Sequence, residues 1–116
     1  MHEYAVTESI LEIVKAEVRQ AGGGRVSMIT VVIGELTSFA SESIEFYFET
    51  LARGTVAEGA WLEFRPLEAI ASCGGCGGSF TPGPRHVLLV CPDCGSAAYD
   101  FVQGKEFYIE SIEVSA

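Results

Sequence analysis

The chain reads as an α/β (α+β) fold: two helices packed on a three-stranded sheet, with a small zinc-ribbon-like lobe inserted before the last strand. Three observations carry that reading. Two stretches place apolar residues at helical spacing, and three shorter stretches have the β-branched or alternating pattern of strands. From Leu67 to about Gly104 the character changes, with glycine, proline and cysteine dominant and no long periodic run. At 116 residues the chain holds one domain, or one domain carrying an insert. The expected division is 1–66 plus 105–116 as an α/β domain and 67–104 as an inserted metal-binding domain.

Residues 3 to 21 form the first expected helix. Leu11, Val14 and Val18 recur at helical spacing with Ile10 and Ala21 beside them, while Glu8, Glu12, Lys15 and Arg19 take the other side. Gly22-Gly23-Gly24 ends it. Arg25 to Ile33 is β-branched and apolar on both faces, a strand covered on at least one side and partly on the other, broken at Gly34. Ser41 is the expected N-cap of a second helix, with Glu42 and Glu45 placed where carboxylates oppose the helix dipole favourably. Ile44, Tyr47, Phe48 and Leu51 carry this helix to about Arg53, before Gly54. Trp61 to Arg65 makes a short strand closed by Pro66, and Glu106 to Val114 a long final one with acidic exposed positions. Strands near 26–33, 61–65 and 106–114 are expected to share one sheet under the two helices.

The cysteines are the most informative residues. All four lie in two tight pairs, Cys73-Gly74-Gly75-Cys76 and Cys91-Pro92-Asp93-Cys94, with 14 residues between them. Two such pairs form the ligand set of a tetrahedral thiolate site, although this spacing is just under the usual range of about 15–20. Gly77 and Gly95 follow the pairs, where the chain must turn sharply for amides to face the sulfurs. Two disulfides would need an oxidising compartment, and a redox pair normally comes singly at a helix start. The set favours zinc, while rubredoxin-type iron would accept the same four thiolates. Four thiolates leave no position open for water or substrate, so the expected role is structural. A glycine-rich segment of this length usually requires a metal or a disulfide to fold.

Composition narrows the function further. The chain is 48% hydrophobic and 20% charged, which excludes disorder. Lys and Arg total 7 against 16 Asp and Glu, a net charge of −9 that repels a phosphate backbone and disfavours nucleic acid as a partner. No run reaches the length of a membrane span, and the first residues lack the pattern of a signal peptide, so no membrane partner and a cytoplasmic location are expected. No Ser/His/Asp set, paired inward carboxylates or phosphate-cradling loop points to an enzyme.

The other informative end is Met1-His2-Glu3. With the methionine retained, the α-amine, the amide of His2 and its imidazole can close fused rings on one metal, and the Glu3 amide can complete a plane of nitrogens. Such fields select Ni(II) or Cu(II). Binding there competes with protons on an amine of pKa ~7.7–8 and an imidazole near ~6.5, so affinity falls on acidification. Taken alone, His2 reads first as a solvated terminal residue, and Glu3 is equally well explained as a first-turn carboxylate facing the helix dipole. His86, beside Pro84 and Arg85, reads as a loop histidine, with an extra metal contact as the alternative.

Met1-His2-Glu3-Tyr4, Ile33-Gly34-Glu35-Leu36, Arg53-Gly54-Thr55-Val56-Ala57-Glu58-Gly59-Ala60 and the two cysteine knuckles, in this order and at these distances, resemble the HypA/HybF family of hydrogenase nickel-incorporation proteins. The likeness runs from Met1 to the closing Ile109–Val114 strand. It implies a nickel site at the N-terminus, with His2 as principal ligand and the Met1 amine and the backbone of His2 and Glu3 as co-ligands. It implies a structural zinc on Cys73, Cys76, Cys91 and Cys94. It further implies a nickel metallochaperone, not an enzyme, that works with a GTPase of the hydrogenase maturation pathway and delivers Ni(II) to the large subunit of a [NiFe] hydrogenase. Service to a second nickel enzyme such as urease stays open.

Two departures from the family pattern touch no ligand. Gly74-Gly75 leaves the first knuckle bare, which would loosen the lobe, and the 77–90 hairpin carries Pro82 and Pro84. The rival readings are a protein-binding zinc-ribbon adaptor with His2 incidental, and an iron-bearing electron carrier. Strand 106–114 offers a sheet edge to another chain, which leaves a homodimer open.

Overall fold

The computed structural model describes residues 2–81 and 90–115. Among them the elements run α1 (Glu3–Gln20), β1 (Arg25–Gly34), a single 3-10 turn (Glu35–Thr37), α2 (Ser41–Leu51), β2 (Trp61–Leu67), β3 (Ile70–Cys73), β4 (Ser79–Phe80), β5 (Tyr99–Gln103) and β6 (Phe107–Ser115). Two compact units divide the chain: one is formed by Met1–Val32, Ser38–Arg65 and Tyr108–Ala116, the other by Ile33–Thr37 and Pro66–Phe107.

In the first unit the sheet order is β2-β1-β6, so the three expected strands do share a sheet. The Ser27 hydroxyl donates to the Glu113 carbonyl at 3.2 Å and the Ser115 hydroxyl to the Arg25 carbonyl at 3.4 Å. Residue numbers therefore fall along β6 as they rise along β1, an antiparallel pair. Consecutive burial of Ile29, Thr30, Val31 and Val32 means that both faces of central β1 are covered. α1 buries Ile10, Leu11, Val14 and Val18, and α2 buries Ile44 and Phe48, as the helical spacing predicts. Each of these side chains contributes about 1.5–3 kcal/mol by leaving water. The Thr7 hydroxyl, buried on the same face, is satisfied by donating to the Glu3 carbonyl.

Three boundaries differ from expectation. α2 begins at Ser41, with Ala40 as its N-cap, because the Glu3 carboxylate accepts the Ala40 N–H at 3.1 Å and supplies the cap from another helix. It ends at Leu51 rather than Arg53, with Ala52 as C-cap. β2 runs through Pro66 to Leu67, which its edge position tolerates because an edge strand can spare an N–H.

The second unit has its own antiparallel sheet, ordered β4-β3-β5. Ala71 pairs with Phe80 and Cys73 with Tyr99, and a bulge falls between Ile70 and Ala71. Phe80, Tyr99 and Phe101 stack edge to face, with centroids 6.1 and 5.6 Å apart. The 3-10 turn belongs to this unit: the Leu36 N–H donates to the Gly104 carbonyl at 2.7 Å, and the Glu35 carboxylate accepts the Ala69 N–H at 2.8 Å.

Candidate metal centres

The two cysteine pairs meet. The Sγ atoms of Cys73, Cys76, Cys91 and Cys94 all lie within 4.8 Å of one another. Cys73 and Cys94 approach to 3.5 Å, and Cys76 and Cys91 to 3.6 Å. Four sulfurs ~2.3 Å from a tetrahedral zinc stand ~3.8 Å apart, so this cluster is close to the size that zinc requires. Among the described residues no other group of three or more potential ligand side chains converges.

Local chain chemistry builds the cluster. Cys73 ends β3, and Gly77 and Gly95 take φ of +78° and +75°, the left-handed conformation that closes each knuckle. Their N–H groups donate back to the carbonyls of Cys73 and Cys91 at 3.0 and 2.8 Å. The amides of Gly75 and Cys76 point at the Cys73 sulfur, at 3.2 and 3.5 Å. Those two N–H groups draw the Cys73 thiol down to about 6, so it is largely a thiolate at neutral pH. Cys94 goes the other way: the Ser96 amide favours its charged form, but the Cys73 sulfur, burial and the other two cysteines outweigh it and push Cys94 up to about 12. Cys76 is also raised, the Gly78 amide being outweighed by Cys91 and Cys73. Crowded thiols cannot all ionise without a cation among them, which is the electrostatic mark of a metal cluster.

Gly74 and Gly75 sit against the second knuckle. A Cβ on Gly74 would lie 3.2 Å from the Ala98 carbonyl oxygen, and one on Gly75 would lie 3.1 Å from the Ser96 Cβ and 3.4 Å from the Cys94 sulfur. The bare dipeptide lets the second knuckle close onto the first. No signal in the first knuckle alone could have revealed this, because the crowding atoms come from the other one.

At the other end, His2 is exposed and occupies the N-cap position of α1. Its carbonyl accepts the Val6 N–H at 3.0 Å, while its side chain makes no capping hydrogen bond. Glu3 begins α1, with its carboxylate on the Ala40 amide. The Met1 amine expected as a nickel ligand lies outside the described residues, as do His86, Pro82 and Pro84. No helix among the described residues is long and apolar enough to cross a membrane.

A two-helix α/β body with a four-cysteine lobe and a histidine at the head of its first helix defines a small metal-handling protein. Comparison with known proteins makes that class specific. The family model for HypA, described as hydrogenase/urease nickel incorporation, metallochaperone, matches residues 1–114. The chain belongs to the HypA family. It is 40% identical over 114 residues to the hydrogenase maturation factor HypA of Chlorobium limicola, covering 98% of this chain and 97% of that one. It is 44% identical over 115 residues to the HypA of Caldanaerobacter subterraneus subsp. tengcongensis, covering 98% and 99%. The solution structure of the Ni metallochaperone HypA from Helicobacter pylori superposes with a TM-score of 0.68 at 26% identity, over 100% of this chain and 99% of that one. Another solution structure of a HypA protein gives 0.73 at 25% identity, over 99% and 97%. The family is one of nickel-incorporation metallochaperones and not of enzymes.

Proposed function

We propose that this chain binds Ni(II) at its amino terminus and delivers it to the large subunit of a [NiFe] hydrogenase during maturation, acting with a GTPase of the same pathway. His2 would be the principal ligand, with the Met1 amine and the backbone of His2 and Glu3 as co-ligands. Cys73, Cys76, Cys91 and Cys94 would hold a structural zinc, whose four bonds leave no open position for chemistry. On this reading 1–66 plus 105–116 is the nickel-binding domain and 67–104 the zinc-binding domain, in a cytoplasmic protein.

The observation that carries the reading is the state of His2 in a chain of this family: it is exposed, and its imidazole takes no part in capping the helix it heads. A ligand set built there is accessible, and its protons compete with the metal, so the ion can pass to a better set of donors. Calorimetry of Ni(II) into zinc-loaded protein with a free amino terminus, beside His2→Ala, tests this. One nickel per chain should be lost in the variant with zinc retained. Equal nickel binding in both would make His2 incidental and favour the protein-binding zinc-ribbon adaptor.

A further inference from the structure

The groove between α2 and β2 has no part in either metal centre, and we propose that it is a docking site for a partner protein segment that presents an arginine beside an apolar residue. It is a cleft of about 350 Å³ within the first unit. Its apolar floor comes from Phe48, Ala52 and Leu62. One wall carries Glu45 and Glu49, one helical turn apart on α2 and both exposed. The other wall is Trp61, which leaves 65% of its surface in water.

Trp61 is placed as a recognition surface would be. Burying an indole is strongly favourable, yet this one is not folded into the core that lies beside it. Its Nε1–H donates to Glu63 at 3.0 Å, so the polar end of the ring has a partner while its faces stay open.

The chemistry selects the occupant. No lysine or arginine lines the cleft, so its carboxylates carry negative charge that no lining side chain neutralises. Carboxylates on one side and an indole face on the other suit a guanidinium, which is planar, forks onto carboxylate oxygens and stacks on aromatic rings. The apolar floor then takes the neighbouring side chain. A second copy of this chain is a poor occupant, because each copy brings a net charge of −9 and acidic residues outnumber basic ones 16 to 7. The inference is independent of where nickel binds.

Trp61 is the chain's single tryptophan, so its emission reports the groove directly. The probe is a capped heptapeptide of alanine, leucine and arginine, titrated into zinc-loaded protein beside the same peptide with citrulline in place of arginine. The arginine peptide should shift the emission saturably. The citrulline peptide should bind about tenfold more weakly, as loss of two ion pairs and a cation–π contact implies. Glu45→Gln with Glu49→Gln should lose a similar factor for the arginine peptide while keeping the wild-type circular dichroism. Trp61→Phe, read by calorimetry, should retain weakened binding. Equal affinity for both peptides, or no saturable response at millimolar peptide, would overturn the proposal. An emission shift driven by protein concentration alone would assign the groove to a second copy, and would overturn it too.

Discussion

Removing the metal from the thiolate cluster should unfold the second unit and leave the first standing. Among the described residues, the fully buried apolar side chains of the second unit are Ile33, Ala69 and Ala71, with Cys73 and Cys91. At ~0.8 kcal/mol for each alanine methyl and ~1.5–3 for the isoleucine, their burial supplies about 3–5 kcal/mol. Structural zinc on such ligands supplies about 10–16 kcal/mol at neutral pH, so the metal is the larger contribution by a factor of about three. The first unit has no such dependence: Ile10, Val14, Val18, Ile29, Val31, Ile44 and Phe48 form its own core. Amide hydrogen exchange on the full chain, before and after chelation under reducing conditions, checks this residue by residue. A reductant is needed because Cys73 and Cys94, at 3.5 Å, are placed to oxidise once the metal leaves. Protection should vanish at Ser72, Tyr99 and Asp100, whose strands pair in the lobe, and persist at Ile29, Val31 and Ile44. Cys91→Ser should reproduce the pattern without a chelator. Undiminished protection along β3 and β5 in the metal-free chain would refute the reasoning, since those strands would then be stable on their own packing.

The pKa pattern of the cluster fixes a second outcome. Zinc takes thiolates, and at pH 7 Cys73, lowered to about 6, is mostly ionised while Cys76 is raised and Cys94 stands at about 12. Zinc binding at pH 7 should therefore release at least two protons, and affinity should rise as pH increases and fall as it drops towards and below 6. Calorimetry in buffers of different ionisation enthalpy measures that number; a value below one would contradict the assignment. In the first unit, Ile44→Ala removes a fully buried side chain and should cost about 2–5 kcal/mol, whereas Ile13→Ala, half-exposed, should change stability by less than about 0.5 kcal/mol. Urea midpoints of the zinc-loaded proteins give both values, and equal costs would show that the burial pattern is wrong.

The parts of this fold that were legible in the sequence are those in which the signal and its cause lie close together along the chain. Leu11, Val14 and Val18 mark α1 because one helix face enters one core, and the two paired knuckles mark a cluster whose four sulfurs converge as metal ligands would. What escaped has its cause elsewhere in the chain. Ser41 has the side chain of an N-cap, but α2 starts from Ala40 because Glu3, 37 residues upstream, takes the amide. Pro66 reads as a strand end, and only the sheet order, which puts β2 at an edge, shows why the strand continues. The lobe's strands span two to five residues, too short for alternation to register, and they owe their pairing to the knuckles that bring them together.

The two proposed metal sites differ in what retains the ion, and burial alone does not separate them. Cys73 and Cys91 are buried, but Cys76 and Cys94 are exposed, so water and chelators reach the thiolate cluster as well as the terminus. Retention in the lobe must then come from coordination. Four soft donors fill the tetrahedron, and releasing zinc also forfeits the folding of the unit around it. At His2 neither condition holds. An exposed imidazole at the head of a helix can lose its metal while α1, anchored by Ile10, Val14 and Val18, stays formed. An ion whose departure costs the protein no structure is one that can be handed over, and this difference in coupled folding gives a physical basis for treating nickel as cargo and zinc as part of the fold.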